Sequence, residues 1–251
     1  MLEIIFLLLI VYFFLFLISI FLQDNSYADV FWGIGFLLVT GYTFLARENF
    51  FFHQIVLSFL VTLWGFRISL YILSKKIKTH GEDFRYKQWR DTWKYFYVRS
   101  FFQIYILQGI LLFIISLPII FVNQDLRPSP SIFFTVIGAL IALAGLIFET
   151  TADLQLSKFM KIKKPWEIFT KGLYAYSRHP NYFWESVFWL GISVIAFPVH
   201  PFSFISFFTI TYLLLYVSGV PMLEKKYEGN KAFEEYKKKV NMFVPWFKIN
   251  S

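Results

Sequence analysis

The sequence predicts an all-α fold: a polytopic membrane bundle of about seven transmembrane helices, with a cytoplasmic amphipathic loop helix and a C-terminal helix. Three observations predict it. The chain is 57% hydrophobic and 16% charged, whereas soluble chains carry roughly 25% charged residues. Its apolar residues fall in runs long enough to cross a hydrocarbon core, which only helices or closed barrels can do. Its basic residues collect in alternating connections, as membrane insertion requires.

Taken in order, the apolar segments cover about residues 2–22, 27–46, 50–73, 100–122, 131–151, 181–199 and 202–220. The first has neither a basic leader nor a small-residue cleavage site, and is expected to be a retained span. The last two are short and joined around Pro198 and Pro201, so they are expected to tilt or to re-enter. Of 24 Lys and Arg residues, 21 fall in 74–99, 154–180 and the tail after 220. These follow the third, fifth and seventh segments and so share one side. That side is expected to be cytoplasmic, with the amino terminus outside, in a membrane such as the bacterial inner membrane. The connections 23–26, 47–49 and 123–130 are short, which directs any site to the basic side.

Composition excludes several classes. There is no cysteine, so neither a disulfide framework nor a thiolate metal site can form. The four histidines are scattered, and no metal is expected. The net charge of +8 is accounted for by membrane-flanking loops, so no nucleic-acid partner is implied. There is no Gly-x-Gly-x-x-Gly in a βαβ setting, which excludes a soluble Rossmann domain. Membrane lipids are the expected surroundings, and no segment marks an obligate protein partner. The chain reads as one membrane domain, with residues 1–122 facing a substrate and 123–251 carrying a site.

Ionisable residues inside spans are costly and point to function. Asp29 heads the second segment, where a capping role is the simpler reading. Arg67 lies about two turns before the basic end of the third. Glu149 and Asp153 are four apart on one helix face, and Asn181 and Glu185 repeat that spacing. The stretch Gly172-Leu-Tyr-Ala-Tyr-Ser-Arg-His-Pro-Asn-Tyr-Phe-Trp-Glu185 carries Tyr174, Tyr176, Arg178 and His179 directly before a helix start. Pro180 suits the first helical position, because its missing N–H is not needed there. A helix opening at Pro180 places Arg178 and His179 at its positive end, a setting for an anionic group. The segment 80–86 reads as a turn leading into an amphipathic helix through Trp93. Residues 224–240 read as a solvated helix with Tyr227 and Tyr236 turned inward, and 244–247 as an interfacial anchor.

Cations beside buried acceptors suit a phosphorylated cofactor with an apolar substrate. Lys158, Lys161, Lys163, Lys164 and Arg178 could meet phosphates. Glu149, Asp153, Asn181 and Glu185 could accept from ribose and amide groups. NADPH is a cofactor of this chemistry, and it needs an apolar wall as well.

Tyr-Ser-Arg-His-Pro-Asn-Tyr-x-x-Glu, with Glu149/Asp153 upstream and Glu224, Tyr236 and Pro245 downstream, resembles the carboxy-terminal part of the steroid 5-alpha-reductase and sterol-reductase superfamily. Asp29-Val-Phe-Trp-Gly, Trp64-Gly-Phe-Arg67 and Gly81-Glu-Asp-Phe-Arg-Tyr86 make the chain look like the bacterial branch DUF1295. The resemblance implies that Glu149, Asp153, Arg178, Asn181, Glu185 and the 224–227 region, with Glu224 and Tyr227, contact NADPH, joined by Arg67. Lys158, Lys161, Tyr174, Tyr176, His179 and Tyr236 complete the set of expected cofactor-binding residues. The implied reaction reduces a C=C bond conjugated to a carbonyl in a lipophilic small molecule, with Trp32 and Trp64 on the substrate side. The reductases carry a polarising tyrosine where this chain has Trp64. An indole N–H donates a hydrogen bond but cannot protonate an enolate, so the catalytic acid is sought in Asp29 or Tyr71. Many members have Gly where this chain has Trp184.

A second resemblance competes. Isoprenylcysteine and phospholipid methyltransferases share an Arg-His-Pro-x-Tyr block and a Glu-rich, Tyr-containing tail, and imply S-adenosylmethionine. A non-catalytic lipid-binding membrane protein is the third alternative.

Overall fold

In the computed structural model the described residues are 1–46, 50–79, 81–128, 130–164 and 166–246. The expected connection 47–49, His80 of the loop motif, and Phe247 and Lys248 of the tail lie outside them. The described chain is helical, with one isolated parallel bridge between Ser177 and Asn241. Among the described residues six helices are long and apolar enough to cross a membrane, making this a multi-pass membrane protein. The segment expected over 181–199 forms a helix of 17 residues, Pro180–Ala196. At 1.5 Å per residue it is about 26 Å long, a little short of a full crossing.

The chain divides into two compact units, Met1–Ile132 with Pro198–Phe202, and Phe133–Phe197 with Ser203–Ser251. The first contains α1 (Leu2–Leu22), α2 (Tyr27–Leu45), α3 (Phe52–Thr79), α4 (Phe84–Thr92), α5 (Phe96–Ile115) and α6 (Leu117–Gln124). The second contains most of α7 (Ile132–Ile162), then α8 (Pro180–Ala196), α9 (Ile205–Tyr212), α10 (Val220–Lys225) and α11 (Lys231–Lys239).

Several boundaries differ from the apolar runs. α3 continues to Thr79 and α7 to Ile162, because Lys, Gln, Met and Leu propagate a helix after the hydrocarbon-compatible stretch has ended. Lys158 and Lys161 therefore sit on α7 and not in a loop. The run expected over 100–122 is interrupted at Ser116. Pro118 opens α6 there, since it cannot donate to the preceding turn. α5 contains a wide π-type turn over Phe101–Ile106. The last apolar run, Pro201–Lys225, is long enough to cross. It is broken internally by a π-type turn at Leu213–Val217 and by Pro221 in α10.

In the first unit α2 and α3 approach through glycine. A methyl added to Gly33 would lie 2.5 Å from the Gly65 carbonyl oxygen. Without a hydrophobic drive between helices in lipid, such backbone proximity supplies the packing. Next to the crossing, Phe36 meets both Trp32 and Trp64 edge to face, each at 5.4 Å. Trp64 is fully buried.

In the second unit the buried face of α7 comprises Thr135, Gly138, Ala142, Gly145, Glu149, Ala152 and Asp153, at steps of three and four. The upper part of this seam is small. A methyl on Gly191 of α8 would lie 2.5 Å from the Gly138 carbonyl, and one on Gly145 would lie 2.5 Å from the Phe188 nitrogen. Beyond Gly145 the same face becomes acidic.

Candidate active site

The acidic end of the α7–α8 seam is built by register. The helices run antiparallel, with Gly145 against Trp184 and Phe188. Two turns further along α7, Asp153 Oδ1 accepts from Asn181 Nδ2 at 3.3 Å. Glu149 lies between these levels, at the height of Glu185. Glu149, Asp153 and Glu185 are 1%, 4% and 7% exposed. The helix continues about two and a half turns past Asp153, which keeps Asp153 inside the packed seam. Trp184 stacks on Phe148 at 4.4 Å and 19° and forms an apolar wall next to these acids.

α8 begins at Pro180, as its missing N–H dictates. No side chain caps it, and the residues before it are tied to the tail instead. The Arg178 N–H donates to the Asn241 carbonyl at 2.8 Å. Its guanidinium donates through Nε to Glu224 Oε1 at 2.9 Å and through Nη1 to the Val240 carbonyl at 2.8 Å. His179 Nε2 lies 3.0 Å from the same Glu224 oxygen, and its ring stacks on Tyr182. The anion beside Arg178 and His179 is thus Glu224 of the chain itself. Ser177 Oγ donates to the Phe243 carbonyl at 2.7 Å. Tyr236 donates to the Tyr174 carbonyl. Burial pushes the Tyr236 phenol pKa up, Arg178 opposes and Glu224 adds, so it remains a neutral donor.

The other expected site residues of this unit are dispersed around that knot. Tyr174 is buried on Phe169 and Tyr176 is exposed. The Tyr176 carbonyl accepts from the Trp246 N–H at 3.1 Å, so the expected anchor at 244–247 also pairs along its backbone with the motif. Lys158 and Lys161 are exposed on α7. Tyr227 is half-buried, and its hydroxyl accepts from Lys163 Nζ at 3.2 Å. The tail is not one helix from 224 to 240. Gly229, at φ +81°, and Asn230 break it. Phe233 and Tyr236 form the buried face of α11.

The model of the family described as "Protein of unknown function (DUF1295)" matches residues 15–240. The chain belongs to the DUF1295 family. Comparison with curated proteins and with solved structures gives no match.

The front-half motifs that pointed to DUF1295 turn out to have architectural tasks in the first unit. Asp29 is not a helix cap. Its Oδ2 accepts from Arg85 Nη2 and its Oδ1 from the Tyr86 hydroxyl, both at 2.6 Å. Asp83 caps α4 by accepting from the Arg85 N–H at 3.0 Å. The motif Gly81–Tyr86 therefore locks α4 onto the start of α2. Trp64 packs in the aromatic stack described above. Arg67 and Tyr71 stand one turn apart on α3, both half-buried, and Lys75 Nζ lies 4.1 Å over the Tyr71 ring.

Sequence reasoning missed the connection 23–26. Asp24, Asn25 and Ser26 are buried. Asp24 pairs with Lys76, the Asn25 N–H donates to Glu82 Oε1 at 2.9 Å, and Asn25 Oδ1 accepts from the Tyr105 hydroxyl at 2.9 Å. Arg90 donates to both Glu82 oxygens at 2.8 Å. A visible signal existed: Asp-Asn-Ser before a helix is an Asx-turn pattern, here formed by the Ser26 N–H to Asp24 Oδ1 at 2.9 Å. Asn230 was missed as well, although it follows Gly229 and stands at a helix N-cap, with Oδ1 accepting from the Ala232 N–H at 2.9 Å.

Proposed function

We propose that this DUF1295 protein is a membrane-bound, NADPH-dependent oxidoreductase that reduces a C=C bond conjugated to a carbonyl in a lipophilic molecule. The observation that carries the reading is the change of the α7–α8 seam from glycine to acid. Glu149, Asp153 and Glu185, all more than nine-tenths buried, gather beside Asn181. Ionisable residues gathered inside a span point to a ligand site, and carboxylates accept from groups such as ribose hydroxyls and a carboxamide. In this reading these four residues hold the ribose and nicotinamide parts. Lys158 and Lys161, about one and two turns beyond Asp153, meet the phosphates. Arg178 is engaged by Glu224, so its part is to fix the tail over the site.

The bound cofactor would supply hydride to the β-carbon of the conjugated system. A protein group would polarise the carbonyl as the hydride arrives, and the enolate would then take a proton at its α-carbon from that group or from water. Both Asp29 oxygens already accept hydrogen bonds, which makes Asp29 an anchor for α4 and leaves Tyr71 as the candidate acid. The basic segments face the cytoplasm in this proposal, and the amino terminus lies outside, in a bacterial inner membrane. The substrate and membrane lipids are the only partners proposed.

One observation favours a second reading. Three buried carboxylates with Arg178 already occupied also suit a cationic ligand, and S-adenosylmethionine carries a sulfonium and an ammonium group. Thermal unfolding in detergent separates the two, because a ligand that binds only the native state raises its stability. NADPH at about 100 times its dissociation constant should add ~2.7 kcal/mol, while S-adenosylmethionine adds nothing. Stabilisation by S-adenosylmethionine alone overturns the reductase reading, and a response to neither supports a non-catalytic lipid-binding protein.

A further inference from the structure

A second site lies beyond the acidic seam. Met160, Lys163, Trp166, Lys226 and Tyr227 line a cavity of about 220 Å³ at the far end of α7. Lys163 Nζ sits 5.0 Å from the centroid of the Tyr227 ring and 3.2 Å from its hydroxyl, so among the described residues a phenol orients this ammonium. Trp166 forms one lip of the cavity. It has φ +65° and is 69% exposed. A non-glycine residue in that conformation is strained and persists only where its surroundings impose it. Here the imposing group is Asn230, which is 7% exposed. It donates Nδ2 to the Trp166 carbonyl at 2.8 Å while its Oδ1 caps α11. The lip is thus held open by a buried amide that belongs to the tail.

Depth indicates what fills the cavity. α7 has 31 residues and is about 46 Å long, against a hydrocarbon core of roughly 30 Å. Its last turn, which carries Met160, and Lys163 directly after it therefore fall at headgroup level. Around them Met160 and Ile162 are 54% and 78% exposed, and Lys164 beside them is exposed. Apolar residues this exposed are unfavourable in water but suit the glycerol and upper acyl region, with lysine heads reaching phosphates. An exposed indole is likewise an interfacial group. Along the α7 axis the cavity begins about 10 Å from Asp153, and none of the four acidic-seam residues lines it.

We propose that this cavity binds the phosphate of an anionic membrane phospholipid, of the phosphatidylglycerol kind. The phosphodiester lies between Lys163 and Lys226, and the lipid's apolar part lies along Trp166 and Met160. The site does not depend on the identity of the cofactor.

Native mass spectrometry of the purified protein, incubated with equimolar phosphatidylglycerol and phosphatidylcholine, tests it. Wild-type protein should retain phosphatidylglycerol at least about fivefold in preference. The double variant Lys163→Gln/Lys226→Gln should lose that preference, and Lys163→Arg/Lys226→Arg should keep it. Equal retention of the two lipids by the wild type overturns the proposal, and that arm needs no variant to fold. An unchanged preference in the Gln pair does so too. Displacement of phosphatidylglycerol by NADPH would assign the cavity to the nucleotide and also overturn it. The S-adenosylmethionine arm described above bears on the cofactor alone, so the two readings fail separately.

Discussion

Arg178 and Glu224 are joined Nε to Oε1 at 2.9 Å, across 46 residues of sequence. The same oxygen lies 3.0 Å from His179 Nε2. One carboxylate oxygen thus engages both side chains at the start of α8 and draws the tail over them. Glu224→Gln keeps the shape and removes the charge, leaving a guanidinium only 10% exposed. Removing one partner of a largely buried pair is expensive. A loss of about 2 kcal/mol is expected, with faster proteolysis at 226–240. Thermal unfolding and limited trypsin digestion followed by mass spectrometry measure both, and an unchanged digestion pattern would count against the knot.

The glycine crossings predict a sharp contrast between two similar substitutions. Gly33→Ala sets a methyl 2.5 Å from the Gly65 carbonyl, whereas at Gly41 nothing lies within 4 Å of the added atom. Overpacking costs about 1–3 kcal/mol, so Gly33→Ala should lower the melting temperature clearly. Gly41→Ala should be neutral or slightly stabilising, since alanine is the better helix former.

Asp29→Asn should release α4 more than it destabilises the molecule. The variant keeps one acceptor oxygen but loses the charge that faces Arg85. Burial works against the Arg85 guanidinium, and Asp29 overcomes it, so the Arg85 pKa lies above its ordinary value. Amide exchange of Phe84–Thr92 should accelerate roughly tenfold, the equivalent of ~1.4 kcal/mol. Protection of α2 and α3 should be kept.

Asp24 makes the first unit sensitive to acid. Burial alone would raise its pKa, but hydrogen bonds from Lys76 and Ser26, with the charge of Lys76, bring it below the ordinary carboxylate value. A carboxylate lowered in the folded state contributes stability that is complete above its unfolded pKa of about 3.9 and is lost as pH falls through the folded value. The melting temperature of the wild type should therefore drop on acidification below about pH 4. Asp24→Asn should start lower at neutral pH and show a shallower acid slope.

Tyr71→Phe addresses the chemistry. If Tyr71 polarises the substrate carbonyl, the variant should lose roughly 100-fold in turnover while the thermal shift on adding NADPH stays the same. Loss of both would make Tyr71 a binding or folding residue.

Much of this protein was readable along the chain. Apolar runs announce spans because lipid leaves a helix no other partner for its backbone. Pro180 announces the start of α8, and the turn motif ending at Tyr86 announces α4, because both signals act within one turn. Glu149/Asp153 and Asn181/Glu185 could be read as sharing faces, because helical spacing is local. Helix length was less legible: an apolar run measures the hydrocarbon core, while α7 continues past it on residues that tolerate water.

What only the tertiary structure decided are the pairings between segments far apart in sequence. Spacing does not reveal that Glu224 would meet Arg178, that Asp29 would hold Arg85 and Tyr86, or that Asn230 would brace Trp166. A charge is satisfied equally well by any opposite charge brought within reach, and the packing of whole helices decides which one arrives. The sequence by itself determined a helical membrane chain, with Glu149/Asp153 and Asn181/Glu185 each sharing a helix face. Tertiary packing decided which charges meet: Glu224 with Arg178, and Asp29 with Arg85.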